Sequence, residues 1–468
     1  MTKINDDAII ILNSSKGAKE VNSWHLFCIL IGMKILKQKE WNDSNIKRGE
    51  KMGMEINIDR LMTNLFEMAK IGMNEKGGID RALGSQADYE TRHLLLSYWE
   101  KNFKLHPFVD PIANIWVKRK GREPLLPIVI GSHHDAVPDG GKYDGAMGVL
   151  IATEIMQRIV EDDIPLRHPV WIISFTGEEP NPFNLSTLGS KVISGRLKKE
   201  DLVNCKNRET GESLKDAIAK LGGNFERLDE ARIQKGTVAA FLEPHNELGR
   251  HLEAEDLSVG SVSCITGIYR EEITVLGEAN HAGTTMMQDR KDALLALSEI
   301  ALEIEEAAIE FENPDVVATM GYVKIIPNEA SIIPGQAKAI IDIRTCERNI
   351  QDQILEKIQK AVEKIEKKRK VIVNRKEILN QPCRKMDEDV IAAINAGIED
   401  IGEPKKQMVS MAGHDASNME LITKAGMIFV QSVGGKGHCR QEYSKPEDIK
   451  KAADAVFYAL LKLDKELD

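Results

Sequence analysis

Four short apolar runs punctuate the chain at Ile128–Ile130, Val170–Phe175, Val238–Leu242 and Met427–Val430. None carries a charge, and each is too short for a helix of ordinary length, so they predict buried strands. After Gly145 the texture changes to AMGVLIATEIMQRIVED, and from Ile56 to INIDRLMTNLFEMAKIG, both with apolar residues at helical spacing. Residues 55 to about 265 thus alternate strand and helix, the pattern of βα units around a mostly parallel sheet.

Between about Gly267 and Pro382 the order differs. REEITVLGEAN alternates like a strand, a helical stretch covers Asp292–Phe311, and two more strands are predicted at Val317–Ile326 and Ala337–Arg344. A long helix follows, with Ile350, Ile354, Ile358, Val362 and Ile365 on one face, and then a strand from Lys370. That β-α-β-β-α-β order is the ferredoxin-like pattern. The expectation is an α/β fold in which a mostly parallel-sheet domain (residues 54–266 and 381–468) carries an inserted ferredoxin-like α+β domain (267–380). The basic run KIEKKRK (364–370) is the solvated end of its second helix, where cations complement the helix dipole.

Length agrees with more than one domain, at 468 residues. A formal net charge of −10 argues against a nucleic-acid partner. The six cysteines have no CxxC spacing, so neither a zinc knuckle nor a disulfide framework is expected and reduced thiols are the default. Trp24–Leu36 is apolar but short of the roughly 20 residues of a membrane span. It also lacks the basic leader and cleavage site of a signal peptide. Residues 1–53 are read as an N-terminal extension, with the mature protein expected to start at Met52 or Met54. Together with a mean hydropathy of −0.29 this predicts a cytoplasmic protein without membrane contact.

Candidate chemistry gathers where the four strands end. The first runs into GSHHDAVPDGGKYDG, with His133, Asp135 and Asp144; the second into Glu178-Glu179. The third runs into Glu243-Pro-His245-Asn-Glu247, and the fourth through SVGGKG to His438. In open α/β sheets ligands bind beyond the carboxyl ends of the strands, so parallel strands would bring these groups to one edge. Three histidines with carboxylates suit zinc, manganese, cobalt or nickel rather than an all-oxygen calcium or magnesium site. Any one of these groups could be a structural hydrogen-bonder; four strand ends in succession argue for a metal centre.

The motifs GSHHDAVPDGGKYDGAMGVL, FTGEEPNPFNLSTLGSK, LEPHNELGRHLEAEDLSVG, GEANHAGTTMMQDRKDAL, IPNEASIIPG with IDIRT, MAGHDASN and SVGGKGHCRQEYSKPEDI occur in order. The chain from about residue 55 onward resembles the hydantoinase/carbamoylase branch of the co-catalytic metallopeptidase superfamily that also holds the aminoacylases and glutamate carboxypeptidases. The resemblance implies two divalent metal ions per subunit. One would be held by His133 and His245 and the other by Glu179 and His438, with Asp144 bridging. Asp135 would orient the His133 imidazole, and Glu178 would be the general base. In the small domain His281 would stabilise the oxyanion, and Arg344 would clamp the substrate carboxylate. His414 and Asn418 match a further loop of the site. The small domain is implied to be a lid and a homodimer interface, with some contacts crossing from the partner subunit.

Three positions depart from the family pattern: Leu248 stands for a glutamine, Ser331 for a substrate-binding asparagine, and Pro182 for an arginine. None is an implied ligand or base, so they bear on substrate choice. The implied activity is hydrolysis of the carbamoyl C–N bond of an N-carbamoyl-L-amino acid, giving ammonia, carbon dioxide and the amino acid. Allantoate, ureidoglycolate or β-ureidopropionate are close alternatives, and FTGEEPNPFNLSTLGS is similar to the ureide-degrading version of its motif. A dipeptidase or N-acyl amino acid hydrolase is a further one.

Overall fold

The computed structural model describes residues 55–468, so the expectations for residues 1–53 lie outside the described residues. A nine-stranded sheet dominates. Its strands, in chain order, are β1 (Phe108–Val109), β2 (Ile115–Arg119), β3 (Ile128–His133), β4 (Val170–Phe175), β5 (Ala240–Asn246) and β6 (Val259–Ile265). A second sheet contributes β7 (Gly267–Leu276), β8 (Val317–Ile326), β9 (Gln336–Thr345) and β10 (Ile372–Gln381). The first sheet then resumes with β11 (Arg384–Lys385), β12 (Gln407–Ser410) and β13 (Lys424–Val430).

In the large sheet the spatial order is β11-β6-β13-β5-β3-β4-β2-β1, with β12 also pairing β6. The central four, β13, β5, β3 and β4, run parallel to one another. Every residue of β3 and β5 is buried, which is why their sequences read as continuous rather than alternating apolar runs. Helix α1 (Ile58–Ala69) begins at Asn57, whose side chain accepts from Arg60 N–H. Helix α2 (Gln86–Phe103) begins at Ser85, which accepts from Asp88 N–H. Helix α3 (Ala146–Glu161) packs on β3 and β5.

The second sheet is antiparallel in the order β8-β9-β7-β10. Burial alternates along β7 and β9, because one face is covered by α4 (Ala293–Ile309) and α5 (Arg348–Arg369) and the other is not. These elements share a core of their own, built from Ile273, Ile300, Ile341, Ile354 and Ile358 among others. Helices α6 (Glu388–Asp400) and α7 (Pro446–Glu466) then pack together against the resumed large sheet.

One expectation is corrected and one strand is added. Cys264 at the end of β6 and Cys346 just after β9 are joined as a disulfide, so these thiols are not both reduced; they lie 82 residues apart, where no motif spacing signals a pair. Part of the glycine-rich segment after His133 is also a strand: Ala136–Gly140 pairs antiparallel with Ile79–Arg81. No helix among the described residues is long and apolar enough to cross a membrane.

Candidate metal centre

The parallel quartet brings its carboxyl ends together, and the side chains there form two groups that share one residue. His133, Asp144 and His245 make the first; Asp144, Glu179 and His438 make the second. His245 Nε2 lies 3.2 Å and His133 Nε2 3.6 Å from Asp144 Oδ1. His438 Nε2 lies 3.4 Å from both Asp144 Oδ2 and Glu179 Oε1. One carboxylate oxygen thus faces each group. Ligands around a tetrahedral ion at bond lengths of about 2.0–2.1 Å stand about 3.4 Å apart, so these spacings suit metal ligation.

Hydrogen bonding of the imidazoles points the same way. His133 Nδ1 lies 3.1 Å from the Asp135 carbonyl and His245 Nδ1 2.9 Å from the Asn246 carbonyl. A carbonyl only accepts, so each Nδ1 carries the proton and each Nε2 is left to face Asp144. Those two Nε2 atoms are 3.4 Å apart. Asp144 Oδ2 and Glu179 Oε1 are buried without a hydrogen-bond partner. Facing acceptors and orphaned carboxylate oxygens are costly unless a cation lies among them. The residues present therefore fit divalent metal ions.

Asp135 serves both strand ends. Its carboxylate accepts the N–H groups of Glu178 at 3.2 Å and Glu179 at 3.1 Å, while its Oδ1 lies 3.5 Å from His133 Nδ1. Glu178 Oε2 stands 3.8 Å from His133 Nε2, beside the first group rather than in it. Burial, reinforced by Glu179, Asp415 and Asp135, pushes the Glu178 carboxyl well above the usual range against the pull of His133. Burial opposes ionisation of Asp144 too; without metal, protonated His133 and His245 outweigh it and hold that carboxyl low. Asp144 is thus the charged carboxyl of the first group, and the Glu178 carboxyl beside it holds its proton more tightly.

Gly145 answers why so many ligands follow one strand. It sits between Asp144 and α3 with φ +62°, and a Cβ there would lie 2.3 Å from the His133 ring. Only glycine lets the chain double back over the imidazole that β3 delivers. His134, next to it, does other work: its Nε2 meets Asp88 at 2.9 Å and its Nδ1 meets Ser174 Oγ at 2.6 Å, under the site.

The remaining candidates are dispersed. His414 is buried, its ring centroid 4.4 Å from that of His245, and its Nε2 meets Ser410 Oγ at 2.9 Å. Asn418 holds Arg196 at 2.7 Å and Ser190 at 2.8 Å. His281 and Ser331 adjoin each other through the pairing of His281 with Ile332. Both are exposed, and His281 belongs to neither ligand group. Its Nδ1 accepts N–H groups from Gly283 and Thr284 at 3.0 and 3.2 Å, leaving Nε2 to carry the proton as a donor. Arg344 pairs with Asp342 at 2.8 Å and reaches from β9 to the Met411 carbonyl at 2.7 Å.

Three buried carboxylates around the candidate ligands had no assigned role in the sequence reading, although Glu243 stands among its strand-end residues and Asp415 within MAGHDASN. Glu243 bonds Ser132 Oγ and Ala416 N–H, and burial beside Asp415 pushes it up to about 8. Asp415 accepts from Ser190 Oγ and, mainly through burial, is pushed up to about 7. Glu442 accepts from the backbone of Tyr143 and Asp144. The only signal for Glu442 was its place four residues after His438 in HCRQE.

Residues 129–462 match peptidase family M20/M25/M40. The chain is 32% identical over 406 residues to an N-carbamoyl-L-amino acid amidohydrolase of Geobacillus stearothermophilus, spanning 86% of this chain and 98% of that one. It is 34% identical over 372 residues to a ureidoglycolate hydrolase of Arabidopsis thaliana, spanning 76% of each. Among solved structures, an amidase of the hydantoinase/carbamoylase family from Burkholderia multivorans superposes with a TM-score of 0.81 at 29% identity, covering 89% of this chain and all of that one (100%).

Proposed function

The chain belongs to peptidase family M20/M25/M40 and to its hydantoinase/carbamoylase amidohydrolases, and from that premise we propose that it hydrolyses the carbamoyl C–N bond of N-carbamoyl-L-amino acids. The observation that carries this reading is the pair of ligand groups meeting at Asp144, with Glu178 alongside but outside them. Zinc or manganese is the expected metal, with cobalt or nickel also suited to mixed imidazole and carboxylate ligation. Two such ions acidify a water and polarise a carbonyl.

The chain's own residues do the rest. Glu178, beside the ligand groups with its Oε2 3.8 Å from His133 Nε2, takes the proton of the attacking water and returns it to the departing nitrogen. Asp135 keeps Glu178, Glu179 and His133 in register. The Arg344 guanidinium, a planar fork, takes the substrate carboxylate. His281, with its Nε2–H, donates to the developing oxyanion. Because His281 and Arg344 stand on the smaller sheet and its loops, this reading requires residues 267–380 to act as a lid.

The same region is proposed as a homodimer interface. Edge strand β8 leaves Tyr322, Val323 and Ile326 exposed, and α4 exposes Leu295, Leu302 and Ile309. In this reading some contacts of the site cross from the partner subunit on closure. The protein is proposed to act in the cytoplasm on a small carbamoyl or ureido acid, without nucleic-acid or membrane partners. A second reading, ureidoglycolate or allantoate hydrolysis, is favoured by the Arabidopsis relative and by the segment FTGEEPNPFNLSTLGS.

The test is ammonia release by chelator-stripped protein re-metallated with zinc, manganese, cobalt or nickel. Its panel holds N-carbamoyl-L-amino acids, β-ureidopropionate, allantoate, ureidoglycolate, dipeptides and N-acetyl amino acids. Metal-dependent ammonia release, best with an N-carbamoyl-L-amino acid, supports the first reading, and best with a ureide the second. Amine release from dipeptides or acetyl amino acids alone would overturn both.

A further inference from the structure

The two ligand groups are not held equally. His133 and His245 lie on β3 and β5, strands that are buried throughout, and each has its Nδ1 turned to a backbone carbonyl. His438 lies on a loop, half-exposed, with a left-handed φ of 54°. What ties that loop to the site is the residue four places on. Glu442 closes the turn with its N–H on the Cys439 carbonyl at 3.0 Å. Its Oε1 accepts the N–H of Asp144 at 2.7 Å and of Tyr143 at 3.1 Å, across 298 and 299 residues of sequence. The carboxylate fits against Gly141, where a Cβ would lie 2.3 Å from Oε2, and that oxygen is buried without a partner. A buried carboxylate with a single engaged oxygen is an expensive way to staple two loops for stability alone.

We propose that Glu442 is a positioning residue for the second metal, setting the edge between Asp144 Oδ2 and His438 within the Asp144–Glu179–His438 group. This rests on the dinuclear reading above. Glu442 need not touch metal or substrate; it fixes the backbone of the shared carboxylate relative to the loop bearing the weakest-held ligand. Its loss therefore acts selectively. The first group keeps His133 and His245 on their strands, while the second loses the register between two of its ligands.

The experiment titrates chelator-stripped full-length protein with zinc, reading metal bound per chain by mass spectrometry of the desalted protein. Circular dichroism and melting are followed alongside. The parent is expected to bind two ions. Glu442→Ala is expected to keep one at parental affinity and to bind the second about 10–100-fold more weakly, the range seen when partners of metal ligands are removed. Its kcat should recover as zinc is raised, with KM little changed. Glu442→Gln keeps an acceptor oxygen for both N–H groups and is expected to bind two ions. If Glu442→Ala does not fold, Glu442→Asp, one methylene too short to span both N–H groups, carries the same expectation. Two ions at parental affinity in folded Glu442→Ala, equal weakening of both, or loss of the second ion in Glu442→Gln would overturn the proposal. Fewer than two sites in the parent would instead bring down the dinuclear reading beneath it.

Discussion

Replacing Gly145 by alanine tests the link between backbone and ligand geometry. Its φ of 62° with ψ −52° is open to glycine and strained for other residues, at a cost of about 1–3 kcal/mol. The new Cβ would stand 2.3 to 2.4 Å from Cε1, Nδ1 and Nε2 of His133. Ordinary carbon contacts lie near 3.5 Å, so the ring must retreat by roughly 1 Å. It has nowhere to go without losing its bond to the Asp135 carbonyl, so overpacking adds about 1–3 kcal/mol. The sum, about 2–6 kcal/mol, is a large part of a typical folding free energy. Metal geometry tolerates only about 0.2 Å, so the first ion should be lost even from the folded fraction. Turnover should then fall about 100-fold or more. The assay pairs thermal melting with bound-metal stoichiometry and ammonia release. Gly236→Ala is the control: its φ is 82° but nothing lies within 4 Å of an added Cβ, so it should lose stability and keep its metal. A Gly145→Ala protein with two ions and parental turnover would refute the reasoning.

Three other outcomes follow from named contacts. Glu178→Gln should lower turnover by about 10²–10⁴-fold with both ions retained, since Glu178 stands outside the ligand groups; loss of metal would make it a ligand instead. Burial opposes the charge of Asp88, but Arg92 and His134 outweigh it and depress its carboxyl. Its stabilising contribution is therefore present above the unfolded-state pKa of about 4 and lost as pH falls below it, and Asp88→Asn should flatten that acid limb of the melting profile. A non-reducing peptide map should recover Cys264 linked to Cys346, with Cys205 and Cys383 alkylated as free thiols. Cys264→Ser should then cost about 2–4 kcal/mol in denaturant melts, and no change would refute the bond.

The ligand groups were legible because parallel strands impose a common edge. Once Ile128–Ile130, Val170–Phe175, Val238–Leu242 and Met427–Val430 are read as neighbours, His133, Glu179, His245 and His438 must converge, and they do. Strand ends were read short: β3 continues through His133 and β5 through Asn246, because ligand residues buried at a sheet edge are still in the ladder. The rest was hidden for a physical reason. Glu243, Asp415 and Glu442 all lie in quoted motifs, but they act through backbone N–H groups and hydroxyls that any sequence supplies, so their partners were not legible. Cys264 and Cys346 meet only because β6 and β9 end side by side. Pattern alone did not show that His281 pairs in a short strand with Ile332 and stays exposed.

The central claim is two metal ions sharing Asp144. Anomalous diffraction from a crystal of the zinc- or manganese-loaded protein tests it most directly. The account predicts two peaks, one bounded by His133 and His245 and the other by Glu179 and His438, with one Asp144 oxygen toward each and Glu178 bonded to neither. A single peak, or metal held away from Asp144, would contradict it.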